Sequence, residues 1–265
     1  MEIEKNPQVD EAVLTAGRDL LVRAERVMVL TGAGISTDSG IPDFRGPKGV
    51  WTKNPKAEKM ATIQHYMADP EVRVASWQMK LESAFDAREP NAGHRALVDL
   101  ERSGRLDTLI TQNVDGLHHK AGNDEDKIVE IHGTMREVVC MQCDDRGPME
   151  PTLERVQRGE ADPECLKCGG ILKSATISFG QGLVTRDLQR SEQAALGCDL
   201  ALAVGSTLSV YPIANVIPVA KQSGAPVVIV NGGETEMDNL ADVVLRGGIS
   251  DILPRLVTGL GPHLH

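Results

Sequence analysis

Val27-Met28-Val29-Leu30-Thr31-Gly32-Ala33-Gly34-Ile35-Ser36 is the stretch that decides how this chain folds. Its apolar tetrad is too short for a helix and runs into a glycine pair, the pattern of a buried strand opening into a tight turn. Two glycines at that point let the backbone approach a pyrophosphate, whose charge then faces the amino terminus of the helix expected next. Taken alone, the same turn also suits a ligand-free joint between strand and helix. Thr37 stands where the usual dinucleotide fingerprint has its third glycine, and no acidic residue ends a strand at the expected distance. Hydride transfer is therefore disfavoured.

Further apolar runs recur outward from this point, at Leu106 to Ile110, Ile128 to Ile131, Leu200 to Val204, Val227 to Val230 and Val243 to Leu245. They alternate with amphipathic stretches, which predicts an α/β fold: a Rossmann-like, doubly wound parallel sheet covered by helices. Most of these runs end in Gly, Thr, Asn or Ser, and ligands of such sheets collect at the carboxyl ends of the strands. Two stretches interrupt the alternation and are expected to build a smaller domain. Residues 47–87 form its helical insertion and residues 136–177 its metal-binding module, a zinc ribbon, leaving 1–46, 88–135 and 178–262 as a discontinuous large domain.

With 265 residues, 41% of them hydrophobic and 25% charged, the chain is large enough for one main core and an appendage. Its apolar runs fall well short of the roughly 20 residues that a bilayer crossing needs. The acidic stretch from Met1 to Asp10 lacks the layout of a secretory signal, so no membrane association and a cytoplasmic address are expected. A formal net charge of −10 disfavours phosphate backbones as partners, so no direct nucleic-acid binding is expected and basic peptides are more plausible.

Four of the five cysteines form two pairs, Cys140-x-x-Cys143 and Cys165-x-x-Cys168. The pairs lie about twenty residues apart, close to the spacing of zinc ribbons, in which two tight turns bring four thiolates into a tetrahedron. Four thiolates leave no open position for water, so the zinc is expected to be structural. Ordinary buried thiols or a redox pair are the alternatives, and Cys198, alone before a strand, reads as a small core residue.

Three polar clusters follow predicted strands: Asp38 through Gly46, Thr111-Gln112-Asn113-Val114-Asp115-Gly116-Leu117-His118, and His132-Gly133. The first, with Gly, Pro, Phe44 and the charges of Asp43 and Arg45, has the composition of a lid. With these pieces in order, the chain resembles the sirtuin family. The resemblance is carried by Gly32-Ala33-Gly34-Ile35-Ser36, Gly40-Ile41-Pro42-Asp43-Phe44-Arg45-Gly46, Gln112-Asn113-Val114-Asp115, His132-Gly133, the four cysteines, Gly205-Ser206-Thr207-Leu208 and Val230-Asn231.

That resemblance implies an enzyme that consumes NAD to remove acyl groups from protein lysines, releasing nicotinamide and O-acyl-ADP-ribose. It implies that Gly32, Ala33 and Gly34 hold the phosphates, and that Ser206, Asn231 and Ile249 contact the adenosine half. Ser36, Gln112 and Gly205 belong to the same cofactor-binding set. Asn113 and Asp115, with Ile41 and Ala33, would receive nicotinamide; Phe44 would cover the ribose, and Asp43 and Arg45 would order the lid. His132 is the expected general base, an imidazole able to take a ribose hydroxyl proton near neutral pH. His65, His94, His118 and His119 read as structural or exposed.

An acylated peptide would pair with Ile177, Phe179, Gly180 and Gln181 and with the Val210 loop, a mode in which main-chain hydrogen bonds supply affinity. Here the chain departs from the family: Ser174 and Ala175 replace Pro and Asp or Asn, and Gln181 replaces Glu. A neutral Gln181 attracts a basic peptide less than a carboxylate does. The Tyr-x-x-Arg pair of relatives that take acidic acyl groups is missing from Trp77-Gln78-Met79-Lys80-Leu81-Glu82, which favours acetyl, although Lys80 could meet an acidic group. Two other classes remain open. One is a protein mono-ADP-ribosyltransferase using the same NAD pocket; the other is a non-enzymatic reader built on the zinc ribbon, which the acidic charge disfavours.

Overall fold

The computed structural model describes residues 9–43, 61–84 and 88–261. Helix α1 (Glu11–Arg23) begins where the Asp10 carboxylate accepts the Ala12 and Val13 N–H groups, and Glu11 and Arg23 suit the dipole at its two ends. Strands β1 (Val27–Thr31), β2 (Leu106–Thr111) and β3 (Ile128–Glu130) lie to one side, and β7 (Leu200–Val204), β8 (Val227–Asn231) and β9 (Val243–Arg246) to the other. Together they make a six-stranded parallel sheet of order β3-β2-β1-β7-β8-β9. All five residues of β1, β7 and β8 are buried, which is why these strands read as unbroken apolar runs rather than as alternating ones.

Successive side chains leave opposite faces of a strand. Val27 and Val29 accordingly pack in one core with residues of α1, of α4 (Ala92–Arg102) and of α9 (Ile249–Val257). Met28 and Leu30 pack in a second core with residues of α7 (Thr185–Gly197) and α8 (Val216–Gln222). Cys198 is a buried member of that second core, as its setting in the sequence suggested.

The smaller unit gathers α2 (Ile63–Ala68), α3 (Pro70–Ala84), the antiparallel strands β4 (Gly133–Cys140), β5 (Arg146–Pro148) and β6 (Leu172–Thr176), and α6 (Glu150–Gln157). Trp77 of α3 is fully buried against Val138, Cys140, Met149, Val156, Cys165 and Leu172, so helical insertion and cysteine module share one core. Among the described residues no helix is long and apolar enough to cross a membrane.

The helix expected after β1 is present as a 3₁₀ helix, Ala33–Ser39, and two other local expectations are corrected. Its close is dictated by Gly40 at φ +81° and Pro42 beyond it, which cannot continue a helix. The third strand ends at Glu130, one residue before the predicted Ile131. The segment Ile177 to Gln181, expected to offer its extended backbone as an edge for a peptide, forms a single parallel bridge, Thr62 to Phe179, ended by Gly180 at φ +81°.

Candidate active site and metal centre

Chain connections leave β1 toward β2 on one side, while β7 lies on the other, which makes the carboxyl ends of these strands the switch point, where sheets of this kind form their ligand crevice. Gly32, Gln112, His132, Gly205 and Asn231 all stand at or just beyond strand ends there. The glycines are a packing requirement. Gly32 and Gly34 donate to the Val204 and Gly205 carbonyls at 3.0 and 2.8 Å, and a Cβ on Gly34 would lie 2.7 Å from Gly205 Cα. Gly205 itself has φ +64°, and its Cβ would come within 2.4 Å of the Ile35 nitrogen.

Gly205→Ala is therefore expected to destabilise the fold by ~2–4 kcal/mol, combining left-handed strain with a backbone collision. Thermal unfolding should shift down by on the order of 10 °C. An unchanged midpoint would contradict this packing argument.

A hydrogen-bonded network floors the crevice. The Asn113 amide donates to the Gly32 carbonyl at 3.1 Å and to Ser36 Oγ at 3.2 Å, and Ser36 Oγ donates to Asp115 Oδ2 at 2.7 Å. The Leu117 N–H donates to Asp115 Oδ1 at 2.9 Å. Burial pushes the Asp115 carboxyl above the usual carboxylate range, with Glu130 adding to the push and the Leu117 and Ser36 bonds opposing it. Helix α4 supports the network through its capping residue: Asn91 accepts from Gly93 and His94 N–H, and its amide reaches the Ile35 carbonyl at 2.7 Å.

Two histidines read as structural turn out to lie in this floor. His94 Nε2 is 3.5 Å from Ser36 Oγ, His118 Nε2 is 3.0 Å from Thr31 Oγ1, and the rings are 5.0 Å apart. Burial lowers both, His94 to about 4, so the pair is neutral near physiological pH. One signal was present in the sequence: Asn91 and His94 stand at the spacing of a helix capping box.

His132 is half-buried, and its Nδ1 lies 3.0 Å from the Gln112 carbonyl. A carbonyl can only accept, so Nδ1 carries the proton and the neutral ring keeps its lone pair on Nε2. Burial lowers the His132 pKa, while the bond to Gln112 works against that shift. The Gln112 amide donates to Ser206 Oγ at 2.9 Å, tying the end of β2 to that of β7. Asn231 is buried and donates to the Gly233 carbonyl at 2.9 Å; Ile249 is buried at the start of α9. The Ile41 N–H donates to the Ser36 carbonyl at 3.2 Å. Asp43 is the last residue described before a gap, and Phe44 and Arg45 lie outside the described residues.

The small sheet enters the site through His132 and Gly133. Ile177 N–H donates to the His132 carbonyl at 2.7 Å, and Gly133, at φ +71°, pairs with Thr176. Both backbone groups of Phe179 are engaged, with Ala61 and Ile63, each at 3.0 Å. Gln181 Oε1 accepts from Ser178 N–H at 3.2 Å, and Val210 lies on the loop from β7 to α8, its carbonyl accepting from Ala214.

At the far end of the small sheet the sulfurs of Cys140, Cys143, Cys165 and Cys168 all lie within 4.8 Å of one another. Cys140 to Cys168 is 3.5 Å and Cys143 to Cys165 is 3.8 Å, too long for disulfides. A tetrahedral ion bound at about 2.3 Å requires sulfurs roughly 3.8 Å apart, so the four side chains are positioned to hold a metal ion.

The chain is similar to known proteins over most of its length. The NAD-dependent protein deacetylase 2 of Streptomyces coelicolor is 50% identical over 235 residues, covering 89% of this chain and 98% of that protein. A structure described in "Structural Basis for the Mechanism and Regulation of Sir2 Enzymes" superposes with TM-score 0.85 at 36% identity, covering 95% of this chain and 98% of that one. A Sir2 protein with p53 peptide and NAD+ gives TM-score 0.79 at 31% identity, covering 90% and 94%. The family model described as Sir2 matches residues 32–212, and the chain belongs to the Sir2 family.

Proposed function

We propose that this protein is an NAD-dependent protein-lysine deacetylase. The observation that carries the reading is that the Gly32–Gly34 turn, the Asn113–Asp115 loop and an imidazole of fixed tautomer converge at the carboxyl ends of the strands. The Streptomyces coelicolor relative and the Sir2 protein solved with p53 peptide and NAD+ support the same activity and substrate class.

The residues present fit NAD. Gly32 and Gly34 let the turn after β1 pack directly on Gly205 at the end of β7, and Gln112, Ser206 and Asn231 supply neutral hydrogen-bonding groups along the strand ends. In this reading Gly32, Ala33 and Gly34 hold the phosphates, and Ser206, Asn231 and Ile249 hold the adenosine half. Asn113, Asp115 and Ile41 receive nicotinamide. When bound, NAD would supply an electrophilic ribose carbon from which nicotinamide leaves, so that acyl-lysine, NAD and one water give free lysine, nicotinamide and O-acyl-ADP-ribose. His132 Nε2 accepts one hydroxyl proton, and the Gln112 carbonyl holds the ring in the tautomer that can do so. The four cysteines hold a structural zinc, whose thiolate shell has no open position.

Acylated-lysine peptides are the substrates, seated between the Ile177–Gln181 segment and the Val210 loop, with acetyl the preferred group. Incubation with acetylated, succinylated and longer-chain peptides should give acyl removal only with NAD, fastest for acetyl. Acyl removal without NAD would overturn the reading.

The base must be neutral to act. Because the His132 pKa lies below its ordinary 6.5, kcat/KM should rise with pH on the acid side and be flat from about pH 7 upward. A titration assigned to His132 with its inflection above 7 would contradict the burial argument.

A further inference from the structure

The loop that presents Asn113 and Asp115 has no regular structure of its own between β2 and the short helix α5 (Leu117–Ala121). It is braced from the small sheet by consecutive residues of β4. The Met135 N–H donates to the Val114 carbonyl at 3.0 Å. The stem of Arg136 packs against Gly116, where φ is +72° and an added Cβ would lie 2.8 Å from Arg136 Cδ.

The guanidinium of Arg136 is anchored on the large-domain side. It donates to Glu130 Oε2 at 3.1 Å and to His119 Nε2 at 3.0 Å, and His119 Nε2 is also 3.5 Å from Glu130 Oε1. A guanidinium has only donors, so His119 accepts from it. Glu130 sits at the carboxyl end of β3, two residues before His132. Burial alone would raise its pKa, but the Arg136 guanidinium, through its charge and its bond to Oε2, holds it below the ordinary value. Side chains from β3, α5 and β4 thus meet where the Asn113–Asp115 loop turns into α5.

We propose that Arg136, anchored by Glu130 and His119, is a positioning residue that sets the place of the Asn113–Asp115 loop and so the grip on the nicotinamide end of NAD. This inference rests on the function proposed above. It predicts a split in the kinetics that a general loss of stability does not produce.

The test uses the full chain as Arg136→Met, Arg136→Lys, Glu130→Gln and the Arg136→Met/Glu130→Gln double variant. KM for NAD, KM for an acetyl-lysine peptide, inhibition by free nicotinamide and thermal midpoint are read for each. Arg136→Met should raise KM for NAD and weaken nicotinamide inhibition by roughly tenfold, with KM for the peptide unchanged, and the double variant should be no worse than the worse single. Arg136→Lys, which keeps a stem and a charge, should recover part of the loss. Unchanged NAD and nicotinamide behaviour in Arg136→Met, or a loss shared by the peptide and matched by a fallen thermal midpoint, would overturn the proposal. Absence of NAD-dependent deacetylation in the unsubstituted protein would instead sink the proposed function, so the two failures are distinguishable.

Discussion

His132→Ala is expected to lower kcat for NAD-dependent deacetylation by about 10²–10⁴-fold, the usual worth of a positioned general base. That is about 3–5 kcal/mol of transition-state stabilisation at 1.36 kcal/mol per factor of ten. The geometry explains why no neighbour substitutes. His94 and His118 are buried in the floor and paired with Ser36 and Thr31, and burial holds both well below neutrality. Only His132 combines a half-buried ring with an Nε2 that has no hydrogen-bond partner among the described residues. KM for NAD should change much less than kcat, because the proposed phosphate and adenosine contacts come from other strands. A variant that turns over like the unsubstituted protein would remove the histidine from the mechanism.

Loss of the metal is expected to have the second large effect. A structural zinc contributes on the order of 10 kcal/mol to the folding of a loop-rich module. Cys140 and Cys165 are members of the small core that contains Trp77, so releasing the sulfurs opens that core directly. In a Trp51→Phe background, which leaves Trp77 as the sole indole, a strong chelator or Cys143→Ser should therefore shift the emission toward that of a solvated indole and abolish deacetylation. Activity falls because β4 and β6 carry Gly133 and Thr176, whose pairing sets His132 and Ile177 beside each other. The parallel sheet has its own two cores and should keep its helical and strand signal. Chelated protein with native Trp77 emission and full turnover would contradict this dependence.

Features written in local spacing are legible in the amino-acid sequence alone. The paired cysteines, the apolar runs and the Gly32-Gly34 turn each report a local requirement: knuckle geometry, burial on both faces, or close backbone approach. The helix expected after that turn is 3₁₀ and ends at Gly40 in the left-handed region, a stop that the Gly40-x-Pro42 spacing already signals. His118 is not recognisable as part of the site from its neighbours in sequence, since its meaning lies in a contact with Thr31, 87 residues away. The same holds for Arg136, whose partners on β3 and α5 become neighbours only when the chain passes from β3 into β4 of the small sheet. The resemblance implies that Ile177 to Gln181 pairs with a peptide, but Phe179 spends both backbone groups on Ala61 and Ile63.

Stoichiometry within a single reaction is the decisive measurement. Nicotinamide released and lysine side chains freed should be counted together when the protein meets an acetyl-lysine peptide and NAD. One nicotinamide is expected for each acetyl group removed, with the acetyl recovered on ADP-ribose. Acetyl lost without nicotinamide release, or nicotinamide released while ADP-ribose accumulates on the peptide, would contradict an NAD-consuming deacetylation.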